Sequence, residues 1–166
     1  MPTTDVSRLD PNEVRAAFSY DPETGVVTWR VRRNGYGGGV WPGKPAGGVD
    51  KYGYLLTAFK GVRIPNHRLA WFLHYGRWPV GQIDHRDLDP MNNRIANLRE
   101  ATMTQQRANQ AVRRDSQTGV KGVSNYRGRY RARCAGSEIG VYDTMVEAQV
   151  AYERAARARW GEFART

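Results

Sequence analysis

The stretch QIDHRDLDPMNNRIANLREAT, running from Gln82 to Thr102, constrains the fold of this chain more than any other. It sets an Asp-His pair, Asp84 and His85, just after an apolar residue and follows the pair with a crowd of Asp and Asn side chains. Such short polar side chains compete with the backbone for its hydrogen bonds, so they favour turns and caps over helix interiors. One amphipathic helix is therefore excluded, and the segment reads as a strand end, a polar loop and a short helix. Neighbouring side chains on a regular strand point to opposite faces. Asp84 and His85 can thus share a site only where a strand twists or ends, which the polar loop from Arg86 to Asn92 permits.

Upstream, residues 1–8 are expected as a disordered tail, and LDPNEVRAAF as a short helix capped by Asp10 with Pro11 at its first position. A turn at YDPETG leads into a strand in which Val26, Thr28 and Arg30 alternate with Val27, Trp29 and Val31. The run NGYGGGVWPGKPAGG lacks the context of a dinucleotide or phosphate-binding loop and reads as a flexible hairpin tip. YGYLLTAFKGVRIPNH predicts a hairpin turning at Lys60-Gly61, and RLAWFLHYG a buried helix stopped by Gly76. His67 and His74 fall at or on that apolar helix, where packed histidines are commoner than ligands. His85 alone is expected in a polar loop.

The chain has 166 residues, of which 40% are hydrophobic and 11% aromatic, enough for one modest core or two small ones. Its 26 Lys and Arg against 16 Asp and Glu give a net charge of +10 and point to a polyanionic partner. Double-stranded DNA leads. A membrane is disfavoured, because no long apolar run and no basic helix with a broad hydrophobic face is present. One cysteine, Cys134, and the absence of a signal-like start lead us to expect a reducing, cytoplasmic setting.

Phosphodiester hydrolysis needs an activated water and a cation to offset developing charge. An imidazole supplies the first at neutral pH, which singles out His85 as a general base. Oxygen ligands such as Asp84 suit a divalent metal, Mg2+ or Mn2+. Asn97 stands where its side chain can hold the loop or the imidazole by a hydrogen bond.

IDHRDLDPMNNRIANLREAT, with NHRLAWFLHYGRWP before it, resembles the HNH endonucleases of phage and homing type, which carry a ββα-metal site. The resemblance spans roughly Tyr20 to Asn109. It implies Asp84 as metal ligand, His85 as general base and Asn97 as the residue that orients it. Homing-type members usually place a second ligand, Asn, 21 positions after the histidine; here that position is Gln106 (106 − 85 = 21). Glutamine offers the same carboxamide oxygen on a longer stem, and Asn109 lies one turn further along the same face. The resemblance also implies the cytoplasm of a bacterial or phage-infected cell.

From Val120 the pattern changes. Strands are expected around GVSNYR, GRYRARCA and EIGVYDT, followed by a helix in MVEAQVAYERAARARWG. In GRYRARC, Arg129, Arg131 and Arg133 share one face, while Tyr130, Ala132 and Cys134 share the other and can pack on Ala148, Ala151, Tyr152 and Ala155. The outer arginines, with Arg127 in the preceding turn, suit contacts with guanine edges and phosphates. This unit resembles the ethylene-response-factor type of DNA-binding domain, a three-stranded sheet on one helix, over about Thr118 to Phe163.

The expectation is an α+β protein: a ββα-metal (HNH) nuclease domain over residues 9–113, a linker over 114–119, and a small sheet-plus-helix DNA-binding domain over 120–166. Its expected activity is metal-dependent cleavage of DNA, with nicking natural for a monomer that carries one site. A non-catalytic DNA-binding regulator that retains the nuclease fold is the alternative. An RNA-binding protein is suggested by charge alone.

Overall fold

The computed structural model describes residues 5–32 and 39–165. The expected tail over residues 1–4 and the glycine-rich positions 33–38 lie outside the described residues. Packing divides the chain into two compact units, one ending at Glu100 and one beginning at Ala101. That boundary falls ahead of segment 114–119, the expected linker.

In the first unit a 3-10 turn, Val6–Arg8, begins the described chain, and Val6 packs against the core, so order starts earlier than expected. Helix α1, Pro11–Ala17, starts where the Asp10 side chain accepts a hydrogen bond from the Asn12 amide. Strands β1 (Phe18–Tyr20) and β2 (Val27–Trp29) pair antiparallel, with Phe18 opposite Trp29. The described end of the glycine-rich run is not a loose tip. Trp29 bonds Lys44 and Gly43 through its backbone, and the Ala46 amide bonds Val27, so residues 43–46 run along β2.

Strand β3, Gly48–Val49, then joins β4 (Leu55–Phe59) and β5 (Val62–Pro65) in an antiparallel sheet. The β4–β5 hairpin turns at Lys60-Gly61, where both residues adopt positive φ as a tight two-residue turn requires. Helix α2, Asn66–Tyr75, stops at Gly76, whose φ of 75° places it in the left-handed region. Its buried face is Asn66, Leu69, Ala70, Trp71 and Phe72, whereas His74 is exposed rather than packed in the core. Phe18, Trp29 and Phe59 form an aromatic centre with Ile64, Leu69 and Phe72 around it.

Strand β6, Gln82–His85, pairs with β7, Leu98–Ala101, to make a two-stranded sheet. The short helix expected before Thr102 is only a 3-10 turn, Ile95–Asn97, and the strand β7 follows it.

The second unit contains helix α3, Met103–Asn109, opened by a reciprocal capping box between Thr102 and Gln105. Strands β8 (Val123–Tyr126), β9 (Arg129–Cys134) and β10 (Ser137–Tyr142) form an antiparallel sheet in the order β10-β9-β8. Helix α4, Met145–Trp160, packs on one face of it. Its buried residues are Ala148, Tyr152 and Ala156, so the stripe leans one residue past Ala155 and leaves Ala151 only partly covered. Gly122 is fixed by this packing. A Cβ there would meet the Tyr152 ring at 2.2 Å. The Lys121 ammonium donates to the carbonyls of Ala108 and Gln110, which ties the end of α3 into this unit. No helix among the described residues is long and apolar enough to cross a membrane.

Candidate functional site

Asp84 and His85 are the last two residues of β6, and both are buried, at 4% and 6% exposure. The strand ends there, which meets the condition under which adjacent side chains can serve one site. Asp84 is held from β7. Arg99 brings Nε and Nη2 to Asp84 Oδ2 at 2.9 and 2.8 Å, and the two side chains are only 6% and 5% exposed. His85 is thus a buried strand end, not the loop residue its sequence neighbours suggest.

The Asp and Asn residues that follow fold the loop against itself. Asp87 Oδ1 accepts from the Asp89 amide at 2.9 Å, Asp89 Oδ1 from the Met91 amide at 2.9 Å, and Asp87 Oδ2 from Asn92 Nδ2 at 2.7 Å. Asn97 closes the circuit: its Oδ1 accepts from the Asp87 amide, and its Nδ2 donates to Asp87 Oδ1 and the Asn92 carbonyl. Burial opposes the charged form of Asp87, but the bonds from Asn92, Asp89 and Asn97, with His85 nearby, hold its carboxyl below the ordinary 3.8. From outside, the Tyr20 hydroxyl donates to the Asn93 carbonyl at 2.8 Å, and Gly25 lies so close that a Cβ would meet the Arg94 nitrogen at 2.5 Å.

Three neighbours of His85 were not placed beside it by the sequence: Asn93, Tyr54, and His67, which was expected as a packed histidine of the helix. Asn93, 2% exposed, places Oδ1 3.1 Å from His85 Nε2. The amide facing the imidazole is therefore that of Asn93, while Asn97 holds the loop. His67 meets His85 edge to face with ring centroids 5.3 Å apart. Desolvation, then His85, then Arg68 push the His67 imidazole down to about 3, so it is neutral at ordinary pH. Tyr54 packs on both, 5.5 Å from His67 and 6.0 Å from His85. Burial, then Asp50, then Asp84 raise its phenol above the usual value. The signal for Asn93 was its place in the Asn-Asn-Arg motif; His67 and Tyr54 carried no local signal, because contacts between distant segments bring them in.

Residues 65–108 match the HNH endonuclease family. That stretch covers α2, the Asp84–His85 strand end, the Asp/Asn loop, β7 and most of α3, and it supports an HNH nuclease. Comparison with curated proteins and with solved structures returns no match.

Among the described residues, no three His, Cys, Asp or Glu side chains gather as a metal set. The HNH segment instead offers one buried carboxylate, Asp84, with carboxamides. Such a donor set fits magnesium, which binds through few protein oxygens and keeps several waters. Gln106 and Asn109 both lie on α3, Gln106 half-buried and Asn109 at 4% exposure.

In the second unit the arginine ladder lies on the sheet face opposite α4, but its members differ. Arg129 Nε pairs with Asp143 at 2.7 Å, and Arg133 Nη2 donates to the Gly136 carbonyl at 2.7 Å. Arg131 lies over the Tyr126 ring, 4.7 Å from its centroid, and its buried Nε has no partner among the described residues. Arg127, in the β8–β9 turn, also faces Tyr126, at 5.4 Å.

The loop circuit makes a measurable claim about Asn97. Asn97→Ala removes one acceptor and two donated bonds, so we expect a loss of about 1–3 kcal/mol in denaturant unfolding and faster amide exchange at Asp87. An Asp87 exchange rate equal to wild type would contradict the loop-holding role.

Proposed function

We propose that this chain is a metal-dependent DNA endonuclease whose HNH segment hydrolyses phosphodiester bonds with His85 as general base. The observation that carries the reading is the buried Asp84–His85 pair at a strand end inside the matched segment. In the reaction, water attacks phosphorus, His85 takes the proton of that water, and the bond from phosphorus to the leaving oxygen breaks. The Asn93 oxygen facing Nε2 holds the His85 ring in orientation for that task. Such a base contributes about 10²–10⁴-fold. The chemistry a divalent cation supplies when bound is the offset of charge on the phosphate and the leaving oxygen. Asp84 would hold it through the carboxylate that Arg99 orients; Gln106 is the candidate for a second ligand on the strength of the HNH resemblance alone. One His85 per chain makes nicking the expected product of a monomer.

The sheet of the second unit would hold the duplex. Arg131, stacked on Tyr126, is suited to meet a base edge with its guanidinium. Arg127, Arg129 and Arg133 are suited to phosphates. A second reading, DNA binding without catalysis, draws on the Arg99 pair, since a guanidinium beside Asp84 repels a cation. It predicts binding with no nicking at any magnesium concentration.

Plasmid nicking against magnesium concentration tests the site. His85→Ala is expected to lose nearly all cleavage while binding DNA almost normally, and Gln106→Ala to need more magnesium. Wild-type cutting by His85→Ala would remove the base assignment, and an unaltered magnesium requirement would remove Gln106. For the ladder, replacing Arg129, Arg131 and Arg133 together should weaken binding and lower the salt slope by roughly 3 if all three meet phosphates. Relaxed sequence preference would instead mark base contacts. Unchanged affinity, slope and preference would show the ladder to be only solvated surface.

A further inference from the structure

Tyr54 is a polar side chain beside His85 to which neither the fold nor the proposed chemistry has yet given a purpose. It precedes β4 at the end of a tight turn. Asp50 Oδ1 accepts from the amides of Tyr52 and Tyr54 at 2.8 and 2.9 Å, and the Asp50 amide donates to the Tyr54 carbonyl at 2.8 Å. Gly53, at φ +87°, leans this turn on the catalytic loop, where a Cβ would stand 3.3 Å from Pro90 Cγ. The ring is fixed on its other side by His67 and His85. A tyrosine held this firmly ordinarily satisfies its hydroxyl within the protein. Here the residue is only half-buried, and among the described residues its hydroxyl has no hydrogen-bond partner.

The reacting phosphate must lie close by. A base stands about 2.6–3.2 Å from the water it deprotonates. That water stands about 3–3.5 Å from the atom it attacks. Phosphorus therefore sits roughly 6 Å from the His85 nitrogen, comparable with the 6.0 Å between the Tyr54 and His85 rings. A phenol is a donor at neutral pH, and a phosphodiester presents two anionic nonbridging oxygens that need donors. Arg99, which reaches this site from β7, is committed to Asp84.

We propose that the Tyr54 hydroxyl donates a hydrogen bond to a nonbridging oxygen of the phosphodiester that His85 attacks through water, making Tyr54 a further substrate-contacting residue. The inference rests on the nuclease reading. Tyr54 orients the phosphate and stabilises the charge that gathers on it, and no proton leaves the phenol.

Tyr54→Phe is the direct test, because it keeps the ring against both imidazoles and the turn at Asp50 while deleting one oxygen. Single-turnover nicking of plasmid in magnesium, at saturating protein, should fall roughly ten- to a hundred-fold, the value of a hydrogen bond to a charged group. The melting temperature should be unchanged, and so should the metal concentration at half-maximal rate. Tyr54→Phe cutting at the wild-type rate would overturn the proposal and leave the nuclease reading intact. So would a variant whose loss is explained by a smaller folded fraction. Wild-type protein that binds plasmid but never nicks it would overturn the nuclease reading, and the assignment of Tyr54 with it.

Discussion

The buried ion pair between Asp84 and Arg99 is the constraint on which the candidate site depends. Two charges at about one-twentieth exposure are costly to take out of water, and their attraction roughly offsets that cost only when the geometry is good. Here two guanidinium nitrogens converge on one carboxylate oxygen. Removing either partner would leave an uncompensated buried charge, at a cost of about 3–5 kcal/mol. The pair fastens β6 to β7 at the point where β6 ends, and so sets the direction in which His85 leaves the strand. A hydrophobic pair would join the strands as well, but it would not aim a carboxylate.

From that anchor outward the site is built by short polar side chains acting on the backbone. Asp87, Asp89 and Asn92 close successive turns, Asn97 links both ends of the loop, and Asn93 meets the imidazole. The density of Asp and Asn after His85 is thus a scaffold for one histidine. His67 and Tyr54 complete the wall from the α2 and β4 side. One is neutralised by burial, and the other is open at its hydroxyl.

Local signals made much of this legible in the sequence. The turn at Lys60-Gly61, the stop at Gly76, the Asp10 cap, and the alternation of Arg129, Arg131 and Arg133 over Tyr130, Ala132 and Cys134 all depend on residues within a few positions of one another. Strand β7 was hidden. It is four residues long and carries Arg99 and Glu100, which read as surface until Asp84 is seen to bury one of them. The same reason hid the partners of His85: Asn93 is eight residues away, His67 eighteen and Tyr54 thirty-one (93 − 85, 85 − 67, 85 − 54). The packing boundary at Glu100 was equally hidden, because α3 continues a polar stretch with no change of composition before it.

The central claim is chemical: water, activated at His85, ends up on phosphorus. It is tested most directly by cleaving DNA in water enriched in oxygen-18, with magnesium present, and weighing the phosphate-bearing ends by mass spectrometry. Hydrolysis predicts one solvent oxygen in each newly formed phosphate end. Ends without label, or DNA left intact by folded protein across the whole range of magnesium and manganese concentrations, would contradict it.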